Sequence, residues 1–157
     1  MTIHVVGNSR GLGAYLYDKF NTSLPKTEVR GYSRHNGYDI SKDVMKICYQ
    51  VEPDDFVILN AHANGSQLYY LKELTHVKDI KVIVMGSIAA TFADTKMAQY
   101  SQEKQTLEKY FEKTVLEGHQ WLYLKLTGKS YEDYELIWNT IQFWCKNTSI
   151  TQIGFNV

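Results

Sequence analysis

The sequence predicts an α/β fold: a doubly wound, mostly parallel sheet of about six to seven strands with helices on both faces. Two observations carry this prediction. Short apolar runs alternate with helical patterns from end to end, the mark of layered α/β packing. A glycine-rich turn, Gly7-Asn8-Ser9-Arg10-Gly11-Leu12-Gly13, joins the first apolar run directly to the first helical stretch. Parallel strands joined this way imply right-handed crossovers and a sheet covered on both sides.

The elements follow in order. Ile3 to Val6 is a short buried strand ending at Gly7. Leu12, Tyr15, Leu16 and Phe20 recur at helical spacing, so a helix runs from near Gly11 to before Pro25. Glu28 to Tyr32 is a second strand. Ser41 is read as the N-cap of a helix carrying Val44, Ile47, Cys48 and Val51, closed by Pro53. Phe56 to Leu59 is a third strand. Leu68, Leu71, Leu74 and Val77 suggest a short helix before the run Val82 to Met85. Met97 to Gly118 reads as a long helix and Trp121 to Leu126 as a strand. The clearest helix carries Tyr134, Ile137, Trp138, Ile141, Trp144 and Cys145, with Ser130 as its cap and Asp133 three residues on. Glu132, Asp133 and Glu135 suit its positive dipole end. Ile150 to Val157 reads as a last strand.

Composition narrows the function classes. A chain of 157 residues suits one domain, residues 1–157. Lys plus Arg equals Asp plus Glu at 17 each, which argues against a nucleic-acid binder. Such neutrality fits burial of a face in an oligomer. Cys48 and Cys145 stand far apart, form no metal-spaced pair, and read as reduced core thiols. The N-terminus is too soon polar for a signal peptide, and no apolar run approaches a membrane span. The expectation is a cytoplasmic protein with no metal and no membrane partner.

The glycine turn is the first chemical signal. A strand-to-helix turn without side chains lets backbone N–H groups approach a pyrophosphate at a helix N-terminus. The spacing is G-x-x-x-G-x-G, and no Gly-Lys-Ser/Thr follows to make a P-loop. A tight turn that needs glycine only for its backbone angles is the plainer alternative. At the end of the second strand, where NAD binders place an acid for the ribose 2′-hydroxyl, the residues are Tyr32-Ser33-Arg34-His35. Arg34 and Arg10, two of only three arginines, suit a 2′-phosphate through their guanidinium geometry. NADP(H) is therefore expected over NAD(H), with both arginines as solvated surface charges the alternative.

The second signal is Tyr-x-x-x-Lys, which puts a phenol and an ammonium one helical turn apart. A cation about 4 Å away supplies roughly 4 kcal/mol at an effective dielectric near 20, enough to favour a phenolate near neutrality. With twelve tyrosines the spacing occurs three times: Tyr15/Lys19, Tyr38/Lys42 and Tyr100/Lys104. Only Tyr100 has a serine, Ser87, closing an apolar strand upstream. Strand ends of this kind are where open α/β sheets bind ligands. Tyr100, Lys104, Leu107, Phe111 and Val115 also share one helical stripe.

With these residues assembled, the chain resembles the short-chain dehydrogenase/reductase family, a Rossmann-like fold. Gly7 to Gly13 resembles the family's cofactor turn, and Asp39-Ile40 its adenine-contacting pair. Asn60-Ala61-His62-Ala63 stands where the family has Asn-Asn-Ala-Gly, keeping the first asparagine and departing at the other three positions. Met85-Gly86-Ser87 resembles the strand carrying the catalytic serine, Tyr100/Lys104 the catalytic pair, and Thr127-Gly128 replaces the usual Pro-Gly. The resemblance implies an NADP(H)-dependent oxidoreductase moving hydride to or from a small carbonyl or alcohol. Tyr100 would be the acid, Ser87 would hold the substrate oxygen, and Lys104 would grip the nicotinamide ribose. The family's fourth catalytic residue is an asparagine. Asn64 is the candidate here, while a turn asparagine beside Gly65 is the other reading.

The chain is shorter than usual for that family. The family's helix between its own second and third strands is expected to be missing, since only His35-Asn36-Gly37 separates Arg34 from Tyr38, and little remains of the substrate lid after Thr127-Gly128, so the site is expected to be open. A non-catalytic NADP(H)-binding sensor or interaction protein is the alternative function. The resemblance also implies a homodimer or homotetramer, with Tyr69, Tyr70 and Tyr110 as exposed aromatics for the interface.

Overall fold

The computed structural model describes residues 1–87 and 98–155. Among these residues six strands form one sheet: β1 (Thr2–Val6), β2 (Glu28–Tyr32), β3 (Phe56–Leu59), β4 (Lys81–Ser87), β5 (Leu122–Leu126) and β6 (Gln152–Gly154). Their order is β2-β1-β3-β4-β5-β6, and every neighbouring pair is parallel. The helices are α1 (Gly11–Ser23), α2 (Val44–Cys48), α3 (Ser66–Leu74), α4 (Ala98–Leu116), α5 (Gly128–Glu132) and α6 (Tyr134–Lys146). A 3₁₀ turn, Arg34–Asn36, follows β2.

Alternation along the strands splits the core in two, because successive side chains point to opposite faces. Ile3, Val5, Ile58, Ile83 and Leu124 pack with Leu12, Leu16 and Phe20 of α1 and with Ile137, Trp138, Ile141 and Trp144 of α6. Val6, Leu59, Val82 and Val84 pack with α2, with Tyr70, Leu71 and Leu74 of α3, and with Leu107 and Phe111 of α4. Helices cover both faces, so central strands read as continuous apolar runs. Of the polar residues in β1, His4 is fully buried. Its Nδ1 lies 2.8 Å from the Tyr32 hydroxyl and its Nε2 3.0 Å from Asp55 Oδ2. Burial lowers the His4 pKa below its usual value.

The order of strands reverses between β1 and β3, which opens a crevice at their C-terminal ends. Gly7 leaves β1 there with φ +90°, and a Cβ on it would stand 2.3 Å from the Ala61 Cβ. The amides of Asn60 and Ala61 both donate to Val6 O, at 3.2 and 3.1 Å, which ties the two strand ends together.

Several local expectations are corrected. Asp43, not Ser41, precedes α2, because Ser41 is already bonded to Asp39: its N and Oγ both donate to Asp39 Oδ1, at 3.1 and 2.7 Å. The helix ends at Cys48 rather than reaching Val51. Ser130 does not cap the long C-terminal helix. It lies inside α5, which Thr127 caps by accepting from Ser130 N at 3.0 Å, while Asp133 caps α6 by accepting from Leu136 N at 3.0 Å. Cys145 is exposed rather than a core thiol, since the apolar stripe of α6 closes at Trp144. Tyr70 is buried, not an interface aromatic, and its hydroxyl donates to Ile40 O at 2.8 Å. Met97, the expected start of α4, and Asn156 and Val157 of the expected last strand lie outside the described residues.

Candidate active site

A cleft of about 890 Å³ opens along the C-terminal ends of the strands. Gly7, Ser9, Arg10, Arg34, Asp39, Ile40, Asn60, Ala61, His62, Asn64, Ser87, Tyr100, Lys104, Thr127 and Gly128 all line it. The hydroxyl of Ser87 and the phenol of Tyr100 therefore share one cleft. Of the three Tyr-x-x-x-Lys pairs, only the third has both members there. Tyr15 and Lys19 instead engage Glu135 on the surface, and of the second pair Tyr38 lines the cleft.

Four turn residues expected at the cofactor, Asn8, Gly11, Leu12 and Gly13, do not line the cleft. Leu12 is a fully buried core residue under α1. Asn8 packs over β2: a Cβ at Gly31 would stand 2.0 Å from its Nδ2. Gly13 faces the turn itself, where a Cβ would meet Gly7 O at 1.8 Å and Asn60 Nδ2 at 2.6 Å. The glycines at 7 and 13 are thus required by the close packing of turn, helix and β3, whatever binds above them. Gly11 opens α1 directly behind Arg10.

The start of α1 fits an anion. Arg10 stands at its N-cap in extended conformation with no side-chain capping bond, and the first turn holds no acidic residue. Its leading N–H groups are thus left to a ligand, with the favourable end of the helix dipole behind them. The cleft also contains two buried polar atoms, Asn60 Oδ1 and His62 Nδ1, with no partner in good hydrogen-bond geometry among the described residues. Arg34 lies in the 3₁₀ turn whose capping pair, Ser33 and Asn36, is closed by Ser33 Oγ donating to Asn36 Oδ1 at 2.7 Å. The Asp39 carboxyl is held below its ordinary range, chiefly by the bond from the Ser41 hydroxyl. These residues fit a nicotinamide dinucleotide with phosphates at α1.

Tyr100 and Lys104 bring α4 to the same cleft. Lys104 is buried, and its Nζ donates to Gln67 Oε1 at 2.6 Å and Met85 O at 3.2 Å. It also stands 5.6 Å from the centroid of the Tyr100 ring. Burial pushes the Lys104 pKa down to about 8. His62 packs edge-on against Tyr100, and its Nε2 lies 2.8 Å from Glu103 Oε2. Its pKa is lowered, first by burial and then by the Lys104 charge. Burial raises the pKa of Tyr131, which also lines the cleft.

Asn64 sits at the rim, exposed, with φ +49°, immediately before Gly65 at φ +67°. Asparagine tolerates this left-handed conformation better than most residues, so the turn reading accounts for it. Sequence reasoning missed Gln67 and Glu103, the partners of Lys104 and His62. A signal for Gln67 existed: Gln67, Tyr70, Leu71 and Leu74 follow the i, i+3, i+4, i+7 spacing, and all are buried. A polar residue heading an inward stripe must be hydrogen-bonded. Among the described residues, no cluster of three or more His, Cys, Asp or Glu is placed to hold a metal ion. Nor is any helix among them long and apolar enough to cross a membrane.

No family model and no curated protein sequence matches this chain. Solved structures do. A small-chain dehydrogenase superposes with TM-score 0.75 at 16% identity, covering 99% of this chain and 96% of that one. A small-chain dehydrogenase in complex with NADPH gives 0.74 at 15%, covering 98% and 96%. A short-chain dehydrogenase/reductase from Vibrio parahaemolyticus gives 0.71 at 19%, covering 88% and 91%. The chain has the short-chain dehydrogenase/reductase fold: a parallel Rossmann-like sheet with helices on both faces.

Proposed function

We propose that the protein is an NADP(H)-dependent oxidoreductase that transfers hydride between the cofactor and a small carbonyl or alcohol. The observation that carries this reading is the convergence of Ser87, Tyr100 and Lys104 in the cleft that begins at the uncapped end of α1. The NADPH complex of a fold relative supports the choice of cofactor class. Arg10 and Arg34 on the cleft wall support the phosphorylated form.

The first turn of α1, with Ser9 and Arg10, would hold the pyrophosphate. Arg34 would hold the 2′-phosphate and Asp39-Ile40 the adenine. When bound, the nicotinamide supplies or accepts the hydride. Tyr100 donates a proton to the carbonyl oxygen in reduction and takes it back in oxidation, a role typically worth about 10²–10⁴ in rate. Ser87 holds that oxygen through its hydroxyl. Lys104 gives two of its three N–H donors to Gln67 and Met85, which leaves one to orient a ribose hydroxyl. Its positive charge favours the deprotonated phenol as Tyr100 gives up its proton.

The test is a screen of carbonyl compounds with NADPH oxidation as readout, on the wild type and Tyr100→Phe. The variant is expected to bind NADPH with unchanged affinity and to lose turnover by 10² or more. Full turnover in the variant defeats the assignment of Tyr100. NADPH binding with no turnover of any carbonyl by the wild type favours the sensor reading instead. Self-association through α3 and α4 belongs to the same proposal. There Lys72 Nζ lies 5.9 and 5.8 Å from the ring centroids of Tyr69 and Tyr110. Light scattering is expected to give the mass of a dimer or tetramer.

A further inference from the structure

We propose that Gln67 is the positioning residue that sets the place and the charge of Lys104. The amide of Gln67 has its orientation forced. Its Nε2 donates to Leu59 O at 2.9 Å and to Met85 O at 3.3 Å, and both partners are backbone carbonyls that only accept. A flipped amide would point its oxygen at two carbonyl oxygens. Oε1 therefore faces Lys104 Nζ, 2.6 Å away. The side chain of one α3 residue thus spans the ends of β3 and β4 and presents an oxygen to the ammonium on α4.

This arrangement does what a packed apolar residue would not. Gln67 and Lys104 are both nearly inaccessible, at 1% and 2% exposure, so the ammonium is stabilised by fixed dipoles rather than by water. Three side chains surround the pair on the elements packed there: Glu103 and Tyr100 on α4 and His62 after β3. Glu103 is the only carboxylate among them, and its Oε2 is shared with His62. Without the Gln67 oxygen, Nζ would keep one acceptor among the described residues, Met85 O. Gln67 acts on Tyr100 and on the ribose only through Lys104. That catalytic consequence rests on the oxidoreductase reading, whereas the control of the Lys104 charge does not.

The test is a pH titration of Lys104 by NMR in lysine-labelled protein without substrate, with Lys104→Met to assign the signal. A hydrogen bond to a charged group is worth enough that Gln67→Leu is expected to lower the midpoint by about one pH unit or more. Gln67→Glu, which puts an anion at the same place, is expected to raise it. Gln67→Asn keeps a buried amide but falls one methylene short of Nζ. It is expected to repeat the fall seen for leucine, and it serves if the leucine variant does not fold. In turnover assays the alkaline limb of kcat is expected to move with the Lys104 midpoint. A midpoint unmoved in Gln67→Leu or Gln67→Asn, with only the melting temperature reduced, makes Gln67 a packing residue and overturns the proposal. Absence of turnover on every carbonyl leaves the titration result intact, so failure of the functional reading is separately visible.

Discussion

The imidazole of His62 stands edge-on to the phenol of Tyr100, with ring centroids 4.8 Å apart and planes at 79°. Its Nε2 is anchored on Glu103, one turn of α4 further along from Tyr100. The contact thus restrains the ring of the proposed proton donor from the side facing the loop after β3.

A tilted aromatic pair is worth about 0.5–1.5 kcal/mol beyond its buried area. His62→Ala is accordingly expected to lower turnover by about threefold to tenfold while leaving NADPH affinity within about twofold. Steady-state kinetics beside fluorescence titration of NADPH distinguishes this from general damage to the cleft. Equal losses in both quantities would show that His62 acts on the cofactor instead.

The buried ammonium gives a pH signature. The folded-state pKa of Lys104 is about 8, below the 10.5 of the free group. Between these values the unfolded chain binds more protons, so this group makes stability rise with pH across that window. The penalty is full below pH 8. A shift of this size corresponds to about 3 kcal/mol. Relative to Lys104→Met, the wild type is expected to gain about 2 to 3 kcal/mol from pH 7 to pH 10 in urea unfolding. Parallel stability curves for the two proteins would remove the claim that this charge is held at a cost.

His4 reports on the other end of the sheet. Burial lowers its folded pKa, so the unfolded chain takes up the proton first and stability falls as pH drops below about 6.5. The same direction holds for His62, and His4→Gln is expected to remove only the share belonging to His4. The slope of stability against pH between 6.5 and 5 should be visibly flatter in that variant. An unchanged slope would mean that the His4–Asp55 contact carries no proton linkage.

Gly7→Ala is expected to cost about 2–4 kcal/mol, because the new Cβ meets both a left-handed φ and the Ala61 side chain. Ala61→Gly in the same chain relieves the clash but not the φ, so the double variant should recover part of the loss. Full recovery in a thermal melt would mean that the backbone angle at residue 7 costs nothing.

Much of this molecule is local. The strand ends, the helix from Gly11 and the stripe of α6 come from periodicities of two and 3.6 residues, which need no knowledge of what packs where. The strand-turn-helix at Gly7 to Gly13 is legible for the same reason. Errors came where a side chain had two uses. Ser41 was read as a helix cap but serves Asp39, and Ser130 was read as the cap of the long helix but closes the Thr127 turn. Tyr70 was read as an exposed aromatic but belongs to the buried stripe that Gln67 heads.

By itself, then, the order of residues determined the α/β alternation, the glycine turn and a short set of tyrosine–lysine pairs. The strand-ending Ser87 already singled out Tyr100/Lys104, but that both members line one cleft with that serine was decided by the tertiary structure, where β4 and α4 meet. The same meeting of segments chose Gln67 as the partner of Lys104, 37 positions away in the chain. The physical reason is that a hydrogen bond between buried groups depends on how distant segments approach. A pattern within one segment carries no record of the carbonyl or amide that another segment brings to it.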